Sequence, residues 1–234
     1  MPPLIIALIA FELVVMVLSI SIHDCVQAWA ANRLGDPTAR MLGRITMNPL
    51  VHFDPFGMVL APLLSIFLFH NALPYGWGKP VPMTYRNFPR KNGEVLAVAA
   101  GPLAQFLAAV VALIVLIVLK HVLHNGAVWL QLVPFMAHGF QFEGSAALPS
   151  SFPLLLFLYI CIMVNLLLCI FNLLPMPFLD GGRILLHFLP YEAAKTFERY
   201  SLFFVIIFLF LGGFLVEIVH SPLLAIFTFL LDRF

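Results

Sequence analysis

The run Ser19-Ile-Ser-Ile-His-Asp-Cys-Val-Gln-Ala-Trp29 sets His23, Asp24 and Gln27 in an otherwise apolar stretch. On a helix, residues i and i+4 share a face, so His23 and Gln27 point the same way, with Ser19 one turn before. Two histidines at that spacing would chelate a metal from one side, and an intervening glutamate would activate its bound water. Here Gln27 holds the second ligand position and Asp24 the position of the glutamate. A glutamine amide oxygen is neutral and hard, a poorer zinc donor than imidazole, thiolate or carboxylate. Asp24 is one methylene shorter than glutamate, and a misplacement of about 1 Å can cost on the order of 100-fold in rate. The same side chains could instead form a hydrogen-bonded polar stripe between packed helices.

The second constellation is Asn172-Leu-Leu-Pro-Met-Pro-Phe-Leu-Asp-Gly-Gly182. A helix ending in two prolines and two glycines exposes unwound backbone, which a membrane tolerates only where it is buried in protein or lines a polar cavity. Asp180 at that break is a candidate third metal ligand, or a cap for the helix that begins near Gly181. Two other histidines could supply a donor: His52 in Asn48-Pro-Leu-Val-His-Phe-Asp54, and His187, seven residues after Asp180. Glu12 lies three helical turns before His23 on the same stripe.

Those residues must be positioned inside a bilayer. The chain is 62% hydrophobic and 10% charged, with a mean hydropathy of +1.04, too little polar surface to cover a soluble domain. Runs of about 18 or more apolar residues cross a hydrocarbon core of roughly 30 Å. Four are expected, near residues 4–30, 95–119, 152–174 and 201–219, with shorter apolar pieces at 56–69 and 222–231. The first is too long, and lacks the basic start, of a cleaved signal peptide. Cys25, Cys161 and Cys169 all fall in apolar segments, so no disulfide framework is implied. A net charge of +1 offers no basic surface for nucleic acid.

Lysine and arginine mark the cytoplasmic side. Arg33, Arg40 and Arg44 follow the first span, Lys79, Arg86, Arg90 and Lys91 precede the second, and Arg183, Lys195 and Arg199 follow the third. The N-terminus is therefore expected outside, with the piece 56–69 entering and leaving on the cytoplasmic side as a re-entrant segment. His23 and Asp180 then lie near the cytoplasmic ends of two helices and could meet. An ionisable residue within a membrane is costly enough that it usually faces a cavity or a partner.

Asn172, Pro175, Leu179, Asp180 and Gly181 reproduce an Asn-x-x-Pro-x-x-x-Leu-Asp-Gly motif. The run from Arg33 to Gly57, Lys79-Pro-Val-Pro82 and Ala100-Gly-Pro102 accompany it in order. Together these resemble the compact bacterial branch of the site-2 protease family, intramembrane zinc metalloproteases, over about residues 15–190. The resemblance implies an all-α polytopic membrane protein with a small cytoplasmic-side β-sheet, cleaving membrane-embedded peptides with zinc-activated water. By position, His23 and Asp180 would be metal ligands, Gln27 would stand at the third ligand's place and Asp24 at the general base's; His52, which has no such place in the family, is the best substitute for the third ligand. Gln105, Asn172 and Pro175 would contact substrate, Gln105 standing where the family usually has asparagine. The whole chain, 1–234, reads as one membrane domain, with a core at about 4–190 and extra C-terminal membrane helices at about 200–231.

Three departures fall on the chemistry while the scaffold motifs persist. The expectation is a catalytically weakened or inactive homologue in the cell membrane that retains a scaffold for a membrane-embedded or membrane-proximal peptide. An edge at Gly43–Thr46 or Lys79–Met83 could take such a peptide as an added strand. The alternatives are an active zinc protease with a variant metal site, and a transport or scaffold role on the same fold.

Overall fold

The structure, a computed structural model, describes residues 3–64, 76–137 and 148–234, with the side chains of 3–5, 202, 205–213 and 215–217 left aside. Its helices are α1 (Pro3–Arg33), a single turn α2 (Thr38–Met41), α3 (Gly93–Val122), α4 (Gly126–Ala137), α5 (Phe152–Leu173), α6 (Asp180–Phe188), α7 (Tyr191–Arg199) and α8 (Ser201–Arg233). Among the described residues, three are long and apolar enough to cross a membrane: α1 from Ile6, α3 and α5. The chain is thus a multi-pass membrane protein. The fourth expected span lies within α8, which continues through Pro222 as one helix and so joins the pieces 201–219 and 222–231.

Helix α5 forms the centre, packed against α1, α3, α4 and α8. Leu155, Ile160, Val164, Leu168 and Phe171 are all buried in one apolar core with Met16 and Ile20 of α1 and Leu116 of α3. Where α5 ends, Leu174 is extended (φ −60°, ψ 138°), the conformation that a following proline, here Pro175, imposes. Helix α1 ends at Gly35, whose φ of +113° lets the Asp36 N–H reach back 2.9 Å to the Ala31 carbonyl.

The expected cytoplasmic β-sheet is not formed: the described residues contain no strand. Gly43 turns the chain at φ +68°, and Pro80 and Pro82 have no N–H to give to a ladder. The Arg44 side chain takes the backbone acceptors instead, donating to the carbonyls of Val51 (3.0 Å) and Lys79. No strand edge is therefore available there for an incoming peptide to extend. Of the re-entrant segment expected over 56–69, residues 56–60 form a π-helical turn running into α-helix at 61–64, and 65–69 lie outside the described residues.

A buried carboxylate staples the loop after α1 to the segment before α3. Asp36 accepts from the Thr38 amide (3.1 Å) and hydroxyl (2.5 Å), the Thr84 amide (2.7 Å) and Asn87 Nδ2 (2.7 Å). Burial would raise its pKa, but these donors outweigh burial and hold it below the usual aspartate value. A carboxylate with a depressed folded pKa stabilises above its unfolded value, about 4, and loses that contribution as pH falls through the folded one. Asp36→Ala is expected to cost about 1–3 kcal/mol at pH 7. In thermal melts in detergent, the gap between variant and wild type should hold down to about pH 4 and close below it.

Candidate functional site

Helix α1 presents His23, Asp24 and Gln27, and the N-terminus of α6 presents Asp180; all four are buried. The placement of Asp180 depends on Gly181 and Gly182, because α6 starts against the end of α5 with almost no room between the backbones. A Cβ on Gly182 would lie 2.5 Å from the Met176 carbonyl carbon and 3.0 Å from the Pro177 nitrogen. Across α6, Arg183 pairs with Glu94 of α3 at 3.6 Å, and His187 Nε2 lies 3.3 Å from the Asn92 side-chain oxygen. His187 thus faces the start of α3, away from His23.

The two edges of the His23 ring meet two different carboxylates. Nδ1 lies 3.0 Å from Asp24 Oδ1, and Nε2 lies 2.7 Å from Asp180 Oδ2. The second pair is an ion-pair contact, close but not aligned as a hydrogen bond, as is that of His52 Nδ1 with Asp24 Oδ2. Gly101 makes room for the ring: a Cβ there would lie 2.7 Å from two of its carbons.

The second oxygen of Asp24 meets two side chains of the loop that follows α2. Oδ2 lies 3.2 Å from His52 Nδ1 and 3.5 Å from Arg44 Nη2. His52 is wholly buried and reaches the Thr46 carbonyl through Nε2 at 2.8 Å, while its own carbonyl accepts from the Lys79 amide at 2.8 Å. Burial holds the Arg44 guanidinium below its ordinary pKa, the Asp24 carboxylate working in the opposite direction. Arg44 and His52 therefore hold the 44–52 loop and the 78–79 segment against α1 through one carboxylate.

Gln27 reaches Asp180 with its nitrogen. Nε2 donates to Asp180 Oδ1 at 2.9 Å and to the Val98 carbonyl at 3.2 Å. Pro102, inside α3, has no N–H for the carbonyl four residues earlier, and that carbonyl is Val98. A backbone carbonyl can only accept, so the amide orientation of Gln27 is decided by this contact.

His23 Nε2 and Asp180 Oδ2, buried and facing each other at 2.7 Å, are part of what a metal requires. Zinc ligands at roughly 2.0–2.1 Å in a tetrahedron sit about 3.3 Å apart, however, and a catalytic site takes three protein donors. The third place is met by an N–H of Gln27, which cannot coordinate. His52 lies on the far side of Asp24, and among the described residues no group of three His, Cys, Asp or Glu side chains converges. As arranged, these residues do not complete a zinc site.

Behind the site, polar side chains join across three helices. Asn172 donates to Gln105 Oε1 (3.2 Å), Gln105 to Ser19 Oγ (3.4 Å), Ser19 to Asn165 Oδ1 (2.7 Å) and Asn165 to the Cys161 carbonyl (2.8 Å). Gln105 is fully buried in this chain, while Asn172 also lines a cleft of about 500 Å³, including its open mouth. Pro175 is exposed in the turn before α6 and does not line it. The cleft is walled by His23, Asp180, Trp77, Gly78, Val81 and Phe178, with Trp77 stacked on Phe171 at 6.4 Å. Trp77, the Val98 carbonyl and the structural role of Arg44 escaped sequence reasoning. Only the carbonyl carried a signal, Pro102 four residues on.

No solved structure matches the chain. It is similar to a Bacillus subtilis (strain 168) protein named "Putative zinc metalloprotease YwhC", 30% identical over 207 residues, which cover 88% of this chain and 81% of that protein. The profile of peptidase family M50 matches residues 11–212. That match runs from the first span through both helices that build the site, and the chain belongs to peptidase family M50, the site-2 protease family.

Proposed function

We propose that this M50 member holds a membrane-embedded peptide in the cleft beside His23 and Asp180 without hydrolysing it. The observation that carries the reading is the engagement of Asp24. A general base must lie within hydrogen-bond reach of the water it activates. Water positioned for hydrolysis belongs on the Nε2 edge of His23, next to Asp180, whereas Asp24, which lines the same cleft, has its oxygens engaged by His23 Nδ1, His52 and Arg44. The basic flanks of the spans support a site near the cytoplasmic face and an outside N-terminus. Trp77, Val81 and Phe178 offer apolar contact along a peptide, and Asn172 an amide for its backbone.

A second reading, an active zinc metalloprotease with a variant site, is favoured by the facing pair His23 Nε2 and Asp180 Oδ2 and by the name of the Bacillus subtilis relative. One experiment separates the two. A photo-reactive residue replaces Phe178 in the full chain, reconstituted with a synthetic single-span Leu/Ala peptide carrying a central Asn-Pro break. Cross-linked peptide of full length, with or without added zinc, is expected. Shortened peptide that accumulates with zinc and is lost in His23→Ala would establish the protease; no cross-link at all would sink the binding reading.

A further inference from the structure

Gln27, on α1, reaches both α3 and α6 through a single atom. Its Nε2 has two hydrogens and meets two acceptors, Asp180 Oδ1 on α6 and the Val98 carbonyl on α3. Both acceptors are buried: the Val98 carbonyl cannot be bonded by Pro102, and Asp180 Oδ1 is left to Gln27 while Oδ2 pairs with His23 Nε2 at 2.7 Å. Asp180 starts α6, and with Arg183 of the same helix and Leu179 just before it, it walls one side of the cleft.

From this geometry we infer that the Gln27 amide replaces a metal as the tie holding α6 to the helical core, so that the fold and the cleft are metal-independent. A neutral amide suits the place because one hydrogen must satisfy a carbonyl and the other a carboxylate. A histidine ring nitrogen carries one hydrogen and could not satisfy both acceptors at once. A glutamate would set a carboxylate against two acceptors. Gln27 and Pro102 are thereby coupled: the proline frees the carbonyl that the glutamine uses. Gln27 is a positioning residue, acting on the cleft through Asp180. The inference rests on the reading of the chain as a non-hydrolysing member, and a separate result decides each.

The test follows the melting temperature of the full chain in detergent with zinc sulfate or EDTA, together with zinc content after dialysis. Wild type is expected to melt at one temperature in both and to retain well under one zinc per chain. Gln27→Leu should melt lower by roughly 4–10 °C in EDTA. Part of that difference, the share of the Val98 carbonyl, should vanish in a Pro102→Ala background, where a helix N–H takes that carbonyl, while the share of Asp180 remains; a packing defect alone would persist there in full. Gln27→His should melt lower in EDTA and regain roughly 5–10 °C with zinc.

One zinc per wild-type chain, lost in His23→Ala, overturns the inference even if no peptide is ever cut. Gln27→Leu melting like wild type in EDTA overturns it too. If Gln27→His does not fold, the wild-type zinc content and the Gln27→Leu and Pro102→Ala pair still decide the matter. Failure of peptide cross-linking leaves this inference standing and removes only the binding role.

Discussion

Gly182→Ala is expected to be among the most damaging single substitutions in this protein, at a cost of at least about 3 kcal/mol, although it adds one methyl group. The added Cβ would sit 2.5 Å from the Met176 carbonyl carbon, and both sides of that contact are backbone, so no rotamer change relieves it. Either the turn at 174–179 or the start of α6 must move. The second takes Asp180 away from Gln27 and His23, which leaves buried polar atoms without partners and adds to the steric penalty. Gly43→Ala provides the comparison. It is strained at φ +68° but has nothing within 4 Å of the new Cβ, and should cost only about 1 kcal/mol. Unfolding in detergent measures both; equal effects would mean that the close approach of α6 to α5 does not set the position of Asp180.

Asp24→Leu should rival it, at about 3–5 kcal/mol, the usual penalty for removing one partner of a buried ion cluster. Arg44, His52 and His23 converge on this one carboxylate, and its loss leaves a buried guanidinium without its anion. Asp24→Asn, which keeps a hydrogen-bond acceptor, should lose less. The sign of the effect is diagnostic. A residue kept for chemistry is commonly strained by its task, and replacing it often leaves stability unchanged or improved. If Asp24→Leu melts at or above wild type, the carboxylate is not the anchor of the 44–52 loop and a chemical role regains ground.

Much of the helical framework is legible in the sequence because its signals are strong and local. Long apolar runs give α1, α3 and α5, and Leu174-Pro175 ends α5 where two prolines crowd the chain. Basic flanks place His23 and Asp180 at one depth, and the structure brings them to 2.7 Å. What could not be read is direction. Spacing sets His23 and Gln27 on one face, but whether Gln27 offers its oxygen or its nitrogen depends on a carbonyl 71 residues away. Asp24 follows His23 in the chain, yet its carboxylate is turned by Arg44 and His52, both supplied by a later loop. The absence of a sheet is illegible for a similar reason: the pieces at 43–46 and 79–83 look extended, but Pro80, Pro82 and the side chain of Arg44 dispose of the groups a ladder would need.

The polar chain from Asn172 to Cys161 has a sense as well as a length. At every link the group nearer the cleft is the donor, so the bond dipoles add instead of cancelling. A group that donates gains electron density and becomes a better acceptor, and such polarisation grows along a chain held in a medium of low dielectric. Asn172 stands at the electron-rich head of the string and lines the cleft. Its amide oxygen is thereby a stronger acceptor than that of an isolated asparagine, a strength lent by Ser19 and Asn165, which stand behind it.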